Sequence, residues 1–443
     1  MAKDVLEQVV EDGVKFVCLQ FTDVTGAVKS VDIPVQRLAL AMEEGVWFDG
    51  SSVEGFARIQ ESDMRLVLDA ATYAVLPWSE PERRRARIFC DIYCPDGTPF
   101  VGDPRGVLKR VLSGLEKRGW RFNVGPEPEF FLLRRNGPDL VHPVPHDVGG
   151  YFDFSASDEA QRVRNELMLA LGGMGLEVEM GHHEVALGQH EIDFHFDDAL
   201  LTADKVVTLK YTVKALAAQH GLVATFMPKP IFGINGSGMH THQSIVGEKG
   251  ENLFFDASDP YKLSAVARGF IAGQMAHARG MAAIVAPTVN SYKRIVPGYE
   301  APVYVCWAQI NRSAMIRIPA STESEISTRL ELRCPDPSCN PYLAFAVMLA
   351  AGMEGIDRKL TCPPPVNDIN IYEMSPEELT EMGISQLPGS LDEALEALAG
   401  DELIIDTIGR EVFEAFVRAK RSEWDEYRTR VMDWEVRRYL ETA

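Results

Sequence analysis

The chain has 443 residues, 46% apolar and 25% charged, an ordinary globular composition on a chain too long for one small core. Sixty-five acidic against 44 basic side chains leave a net charge of −21, which opposes binding to nucleic acid or to an anionic membrane surface. Seven scattered cysteines form no C-x-x-C pair, and no basic segment followed by an apolar one opens the chain. Reduced thiols and a cytoplasmic location are therefore expected.

The opening "MAKDVLEQVVEDGVKFV" reads as an amphipathic helix. The next hundred or so residues alternate strand-like runs with turns, as in "VKFVCLQFTDVTGAVKSVDI" and "ARIFCDIYCPDGTPF". At "VGDPRGVLKRVLSGLEKRG" the pattern turns helical, with "GDPR" as its start signal. A boundary is expected there, dividing the chain into domains at 1–103 and 104–443. Helical patterns in "DEAQRVRNELMLALGGMG" and "TADKVVTLKYTVKALAAQHG" then alternate with strands. The longest apolar run, "PYLAFAVMLAAGMEGI", is too short for a bilayer span. From "MSPEEL" onward the chain reads as charged helices.

As a strand, "NVGPEPEFFLL" puts Glu127 and Glu129 on one face, roughly 6–7 Å apart. Two carboxylates at that distance repel by about 2 kcal/mol at an intermediate dielectric. Alone, such a pair reads as a solvated edge strand. "GHHEVALGQHEIDFHF" adds Glu184 and Glu191, with Gly188 able to turn the chain so that both face one cavity. Beyond it, Ile192, Phe194 and Phe196 alternate with Glu191, Asp193 and His195. Clustered carboxylates with an imidazole suit Mg²⁺ or Mn²⁺, whereas zinc would draw on more His and Cys.

In "FMPKPIFGINGSGMHTHQSI", Asn235 and Gly236 belong to a small-residue loop, and His240 and His242 share a strand face with Ser244 beyond them. No P-loop motif occurs. "NSYKRIVPGYEAP" and "NRSAMIRIP" supply Arg294, Glu300, Arg312 and Arg317, and "STRLELRCPDP" places Arg329, Glu331 and Arg333 on one face. A buried salt-bridge strip would explain the last three residues as well. Together, glutamates for cations and arginines for anions describe a site joining metal-bound phosphates to a carboxylate substrate.

The blocks "FDGSSVEGFARIQESDM", "GPEPEF", "HHEVALGQHEIDF", "ATFMPKPIFGINGSGMHTHQS", "PTVNSYKRIVPGYEAP", "NRSAMIRIPAS" and "ELRCPDPSCNPYLA" resemble class I glutamine synthetase of the alpha-type branch, over essentially the whole chain. The resemblance implies an α+β fold. An N-terminal β-grasp-like domain would precede a larger catalytic domain, whose antiparallel sheet forms half a barrel packed with helices. It implies a dodecamer of two hexameric rings with active sites between subunits, and ATP-dependent ligation of ammonium to glutamate through γ-glutamyl phosphate.

Two Mg²⁺ or Mn²⁺ ions per site follow from the same resemblance. Glu129, Glu184 and Glu191 match the ligands of the metal beside glutamate; Glu127, His240 and Glu331 match those of the metal on ATP. Glutamate would also meet Glu129, Asn235, Gly236, His240, Arg294, Glu300 and Arg333, with Glu300 in a closing flap. Arg312 and Arg317 match the residues that stabilise the transferring phosphoryl group, and Glu179, Phe196, His242, Ser244 and Arg329 fall at nucleotide contacts. Asp49 matches the acid that binds and deprotonates ammonium, arriving from the neighbouring subunit. On this reading the metals neutralise the carboxylates, and the interleaved apolar residues wall a funnel.

Arg58 matches a position linked to feedback inhibition by glutamine, and Tyr372 aligns with a tyrosine adenylylated in another branch. Two other functions compete: a γ-glutamyl-polyamine or -ethanolamine ligase on the same scaffold, and a catalytically idle regulatory ring.

Overall fold

The computed structural model describes residues 4–51, 53, 63–135, 142–154, 159–299, 301–311, 313–319, 327–367 and 371–443. A short helix α1 (Val5–Glu11) opens the chain, its first turn capped by the Asp4 carboxylate. The helical pattern was expected to run further. It stops because Gly13, at φ +67°, reverses the chain into a strand.

Strands β1 (Phe16–Thr22), β2 (Val28–Pro34), β3 (Val46–Asp49), β4 (Asp63–Leu68), β5 (Ala74–Val75) and β6 (Arg85–Tyr93) form one sheet, ordered β2-β1-β6-β4-β3 with β5 against β6. Within this sheet only β1 and β6 pair in parallel among the described residues. Helix α2 (Leu38–Glu44) and α1 lay Leu38, Val5 and Val9 on the inner face beside Val17, Leu19 and Ile88. This is a β-grasp domain.

Helix α3 (Pro104–Glu116) starts where "GDPR" places it: the Asp103 carboxylate accepts from the Arg105 amide at 3.1 Å. The second sheet contains β7 (Arg121–Arg134), β8 (Val144–Pro145), β9 (Val178–His183), β10 (Gln189–Phe194), β11 (Asp197–Asp198), β12 (Leu222–Thr225), β13 (Met239–Val246), β14 (Tyr304–Ala308), β15 (Ala314–Arg317), β16 (Leu330–Leu332) and β17 (Ser385–Gln386). Its order is β17-β14-β15-β16-β13-β7-β10-β9, with β8, β11 and β12 also on β7. All these pairings are antiparallel except β14–β15, and the curled sheet is the half-barrel.

β7 lies inside that sheet, not at an exposed edge where a Glu-x-Glu pair alone would put it, in keeping with the apolar residues that follow "GPEPEF". Two prolines survive there because their nitrogens face the edge of β7 opposite β13, where β11 pairs only as far as Val124 and β10 begins at Glu129.

Helices α4 (Glu159–Gly173), α5 (Ala199–Gln219), α6 (Ala265–Ala276), α7 (Ala278–Val285), α8 (Ser291–Arg294) and α9 (Pro341–Asp357) follow in chain order. The long apolar run is α9, buried from Pro341 through Leu349, and no helix among the described residues is long and apolar enough to cross a membrane. Beyond it lie α10 (Pro376–Glu381), α11 (Leu391–Ala399), α12 (Glu402–Ile408), α13 (Arg410–Arg428) and α14 (Asp433–Tyr439). The two sheets are joined at Arg105, a buried guanidinium that binds Asp69 and Asp91 at the ends of β4 and β6, and Asp204 on α5.

Candidate active site

Strand register assembles the site. His240 lies opposite Glu127, Glu129 opposite Glu191, His242 opposite Glu331, and Glu331 opposite Arg317. Alternation along each strand aims these side chains to one face. Two donor clusters result. In the first, His240 Nδ1 stands 3.7 Å from both Glu127 Oε2 and Glu331 Oε1. In the second, His182 faces Glu191 Oε1 at 3.4 Å and Glu184 Oε1 at 3.7 Å. Within each cluster one donor atom per residue lies within 4.8 Å of the others. Carboxylate oxygens with one imidazole fit a hard divalent cation such as Mg²⁺ or Mn²⁺.

The carboxyls answer differently to their surroundings. Glu129 is pushed well above the usual range, by burial and by the nearby Glu184 and Glu191. Burial and the charges of Asp193, Glu127 and Glu184 push Glu191 up to about 10. Glu127 is half-buried, yet the His240 imidazole beside it and the hydrogen bond from His242 hold it well below its ordinary range. At Glu331 burial is likewise outweighed, chiefly by the Arg333 guanidinium 2.5 Å away. So the imidazoles and the Arg333 guanidinium already compensate one half of the site, whereas in the half around Glu129 and Glu191 burial and mutual repulsion outweigh the charge of Arg294. A divalent ion would supply what that half needs.

A cavity of about 240 Å³ holds Glu127, Glu129, Glu184, Glu191, His240 and Glu331, with Asn235, Gly236, Arg294, Arg317 and Arg333 around them. The glycine loop reaches in closely: a Cβ on Gly236 would meet the Pro228 carbonyl oxygen at 2.2 Å, and the Gly238 amide donates to Glu129 at 3.0 Å. Arg294 is anchored through its guanidinium to the carbonyls of Cys334 and Arg333. Arg333 Nε is buried with no hydrogen-bond partner among the described residues, a donor left for an anion.

A second cavity, of about 370 Å³, is lined by Glu179, Phe196, His242, Ser244 and Arg329. Glu127 lines both cavities. Arg329 donates to His242 Nδ1 at 3.2 Å, so the neutral ring carries its hydrogen on Nε2 and gives it to Glu127 at 2.7 Å. The two cavities thus meet at a carboxylate held by a histidine–arginine chain.

Not every residue singled out from sequence is seen lining these cavities. Asp49 ends β3 at the surface, its carboxylate accepting from the Ser51 amide, and is not among the described residues lining either cavity. Arg58, Glu300 and Arg312 lie outside the described residues. The Tyr372 hydroxyl donates to the Ala301 carbonyl at 2.9 Å.

Two expectations need correction. Phe196 does not continue the buried face of Ile192 and Phe194. The register shifts between Asp193 and Phe194, and Phe196 ends 43% exposed, lining the second cavity. The apolar residues of 181–196 wall the cavities only in part: Ile192 packs in the core, Val185 lines the first cavity, and Phe194 and Phe196 line the second. Sequence reading also passed over Gln189, which donates to Glu129 at 2.8 Å, over Tyr151, and over His182 as a donor. His182 was legible as the residue paired across from Glu191; Tyr151 had no local signal beyond "GGY".

Comparison with known proteins settles the family. The profile described as "Glutamine synthetase, beta-Grasp domain" matches residues 13–95, and "Glutamine synthetase, catalytic domain" matches residues 101–439. The chain belongs to the glutamine synthetase family. Among similar proteins, the glutamine synthetase of Methanosarcina mazei is 52% identical over 99% of this chain and 97% of its own length. That of Thermus thermophilus is also 52% identical, over 99% of this chain and 98% of its own. Solved structures of GmaS superpose as well. An ADP complex has a TM-score of 0.88 and a ligand-free form 0.87, each 33% identical and each covering 99% of both chains.

Proposed function

We propose that the chain is an enzyme that ligates ammonium to L-glutamate at the expense of ATP, giving L-glutamine, ADP and phosphate through γ-glutamyl phosphate. The observation that carries this reading is the junction at Glu127. The carboxylates of two donor clusters, with His240 and three arginines, share one cavity, and that cavity meets a second across a single glutamate. Kinship at 52% identity with two glutamine synthetases supports it.

In this reading ATP fills the second cavity against Phe196, His242, Ser244, Arg329 and Glu179, its phosphates directed at Glu127. Glutamate enters the first cavity, its α-carboxylate taken by Arg294 and Arg333 beside the Asn235–Gly236 backbone and its amino group facing Glu129 and His240. Arg317, held to Glu331 at 2.9 Å, faces the phosphoryl group as it moves from ATP to the γ-carboxylate, with Arg312 assigned to the same task on its motif alone. Mg²⁺ or Mn²⁺ held by Glu184 and Glu191, which cluster with His182, together with Glu129 in the same cavity, and by Glu127, His240 and Glu331, would neutralise phosphate charge and place both substrates.

Asp49 of a neighbouring chain would take the ammonium proton, and Glu300 would close the cavity against water. Ring assembly into a dodecamer, a cytoplasmic location, a division of the chain after residue 103 and a regulatory role for Arg58 belong to the same reading.

The test is ATP-dependent phosphate release by the purified protein with glutamate and Mg²⁺ or Mn²⁺, comparing ammonium, putrescine, ethanolamine and no amine. Stimulation by ammonium with glutamine as product is expected. Stimulation by putrescine or ethanolamine alone would move the activity to another γ-glutamyl ligase. No turnover by an assembled, nucleotide-binding oligomer would leave a regulatory ring.

A further inference from the structure

Behind the metal-facing side of β9 and β10 lies a second group of titratable side chains that the proposed reaction does not use. His183 and His190 alternate with His182 and Glu191 and so point to the opposite face, where Asp147 and His146 meet them from the segment after β8. Both His183 and His190 are almost wholly buried.

The bonds around Asp147 converge on one turn, the five residues from Glu184 to Gly188 that join β9 to β10. Asp147 Oδ1 accepts from the Gly188 amide at 2.8 Å, at the far end of that turn. Its two oxygens also meet His183 Nε2 at 3.2 and 3.1 Å, at the near end. His183 in turn donates from Nδ1 to the Glu184 carbonyl at 2.7 Å. The Phe152 amide closes the frame by donating to the His183 carbonyl at 3.0 Å. Contact is tight: a Cβ on Gly149 would lie 2.8 Å from His183 Nε2. One carboxylate therefore grips both ends of the turn that carries Glu184, and binds it to the loop that carries Tyr151. Both residues line the first cavity.

We propose that Asp147 is a positioning residue. Acting through His183 and the Gly188 amide, it sets the Glu184 carboxylate in the metal cluster of Glu129, Glu184 and Glu191, while making no contact with metal or substrate itself. A groups-of-ligands reading of the same residues, a further cation held by His146, Asp147 and His190, meets an obstacle. Arg164 stands 2.9 Å from His190 Nδ1, and a guanidinium only donates. His190 must accept there, so its Nε2 carries the hydrogen and points it at His146, 2.8 Å away. A cation would displace that hydrogen beside a fixed positive charge. Outer partners that orient a metal's ligands tune its affinity without holding it.

The inference rests on the functional reading above, which puts a metal at Glu184. Its test is calorimetric titration of Mn²⁺ into the metal-stripped, assembled protein, with unfolding temperature and turnover recorded in parallel. The parent is expected to bind at both donor clusters; no binding by the parent would overturn the functional reading itself. Asp147→Ala is expected to weaken one site by about tenfold, leaving the other site, the unfolding temperature and kcat at saturating Mn²⁺ close to parental. Asp147→Asn keeps an oxygen for the Gly188 amide and should recover most of the loss. Parental affinity at both sites of D147A would overturn the inference. Equal weakening of both sites with a lower unfolding temperature would also overturn it, since general loosening acts that way. A third bound ion in the parent that D147A loses would replace it with a cation site.

Discussion

Glu129 and Glu191 face each other across the β7–β10 register, buried, with Glu184 nearby and no arginine bonded to either among the described contacts. Their surroundings favour the protonated form, and this has a measurable sign. Glu191 titrates near its ordinary value of 4.5 when unfolded and is pushed up to about 10 when folded. Between those limits the folded metal-free chain holds a proton that the unfolded chain has released. Stability should therefore fall as pH rises through that window. A divalent ion removes the penalty by replacing the proton. The rise in unfolding temperature on adding Mg²⁺ or Mn²⁺ to an EDTA-treated sample should accordingly be larger near about pH 8.5 than near about pH 6. An equal rise at both would show that these carboxyls do not exchange protons for metal.

At the scale of elements, the strands aim the chemistry and the helices hold the strands. Central to that support is α9, whose apolar run is packed from several sides. Against α6 it packs backbone to backbone. A Cβ on Gly273 would lie 2.0 Å from the Ala351 carbonyl oxygen, and one on Gly355 2.1 Å from that of Gly269. No side-chain rotation relieves contacts with backbone, so the helices would have to part. Gly273→Ala should destabilise the fold by about 1–3 kcal/mol or more, as overpacked cores do, despite alanine's better helix propensity. Gly172→Ala, on α4, has nothing within 4 Å and serves as the control. Comparable denaturation midpoints for the two variants would refute the close-packing account. The helical periodicity was readable from the residues; that these glycines are contact points was not, since the partner helix lies some eighty residues away and propensity alone counts them as weaknesses.

For the whole molecule, the position of Asp49 is the open end. It sits at the surface at the end of β3, while the half-barrel contributes the cavity. If a neighbouring chain supplies it, two inactive variants should complement one another. Co-expressed D49A and E331Q, each inactive alone, should recover about a quarter of parental activity, because in a randomly mixed ring one interface in four pairs both intact halves. No recovery in mixed oligomers of verified composition would place the whole site within one chain. Inside a chain the two sheets are clamped by Arg105, one buried guanidinium shared by three carboxylates. The β3 surface and the cavity are therefore each set within a bonded frame.

By itself the sequence determined the chemistry and its local frame. Alternation put Glu127 and Glu129 on one face, and Arg329, Glu331 and Arg333 on another. "GDPR" marked the start of α3, and the ordered motifs pointed to the family, because period, caps and residue type act over a few positions. Tertiary structure decided what depends on distant partners. It set "GPEPEF" inside a sheet, turned Phe196 out at a register shift and put His183 and His190 behind the metal-facing side. It also brought Asp147 to a turn some forty residues on, where its carboxylate grips Gly188. A strand shows in sequence which residues share a face. Which face meets the cavity, and which carboxylates then have cations beside them, is set by pairing and burial between segments far apart in the chain.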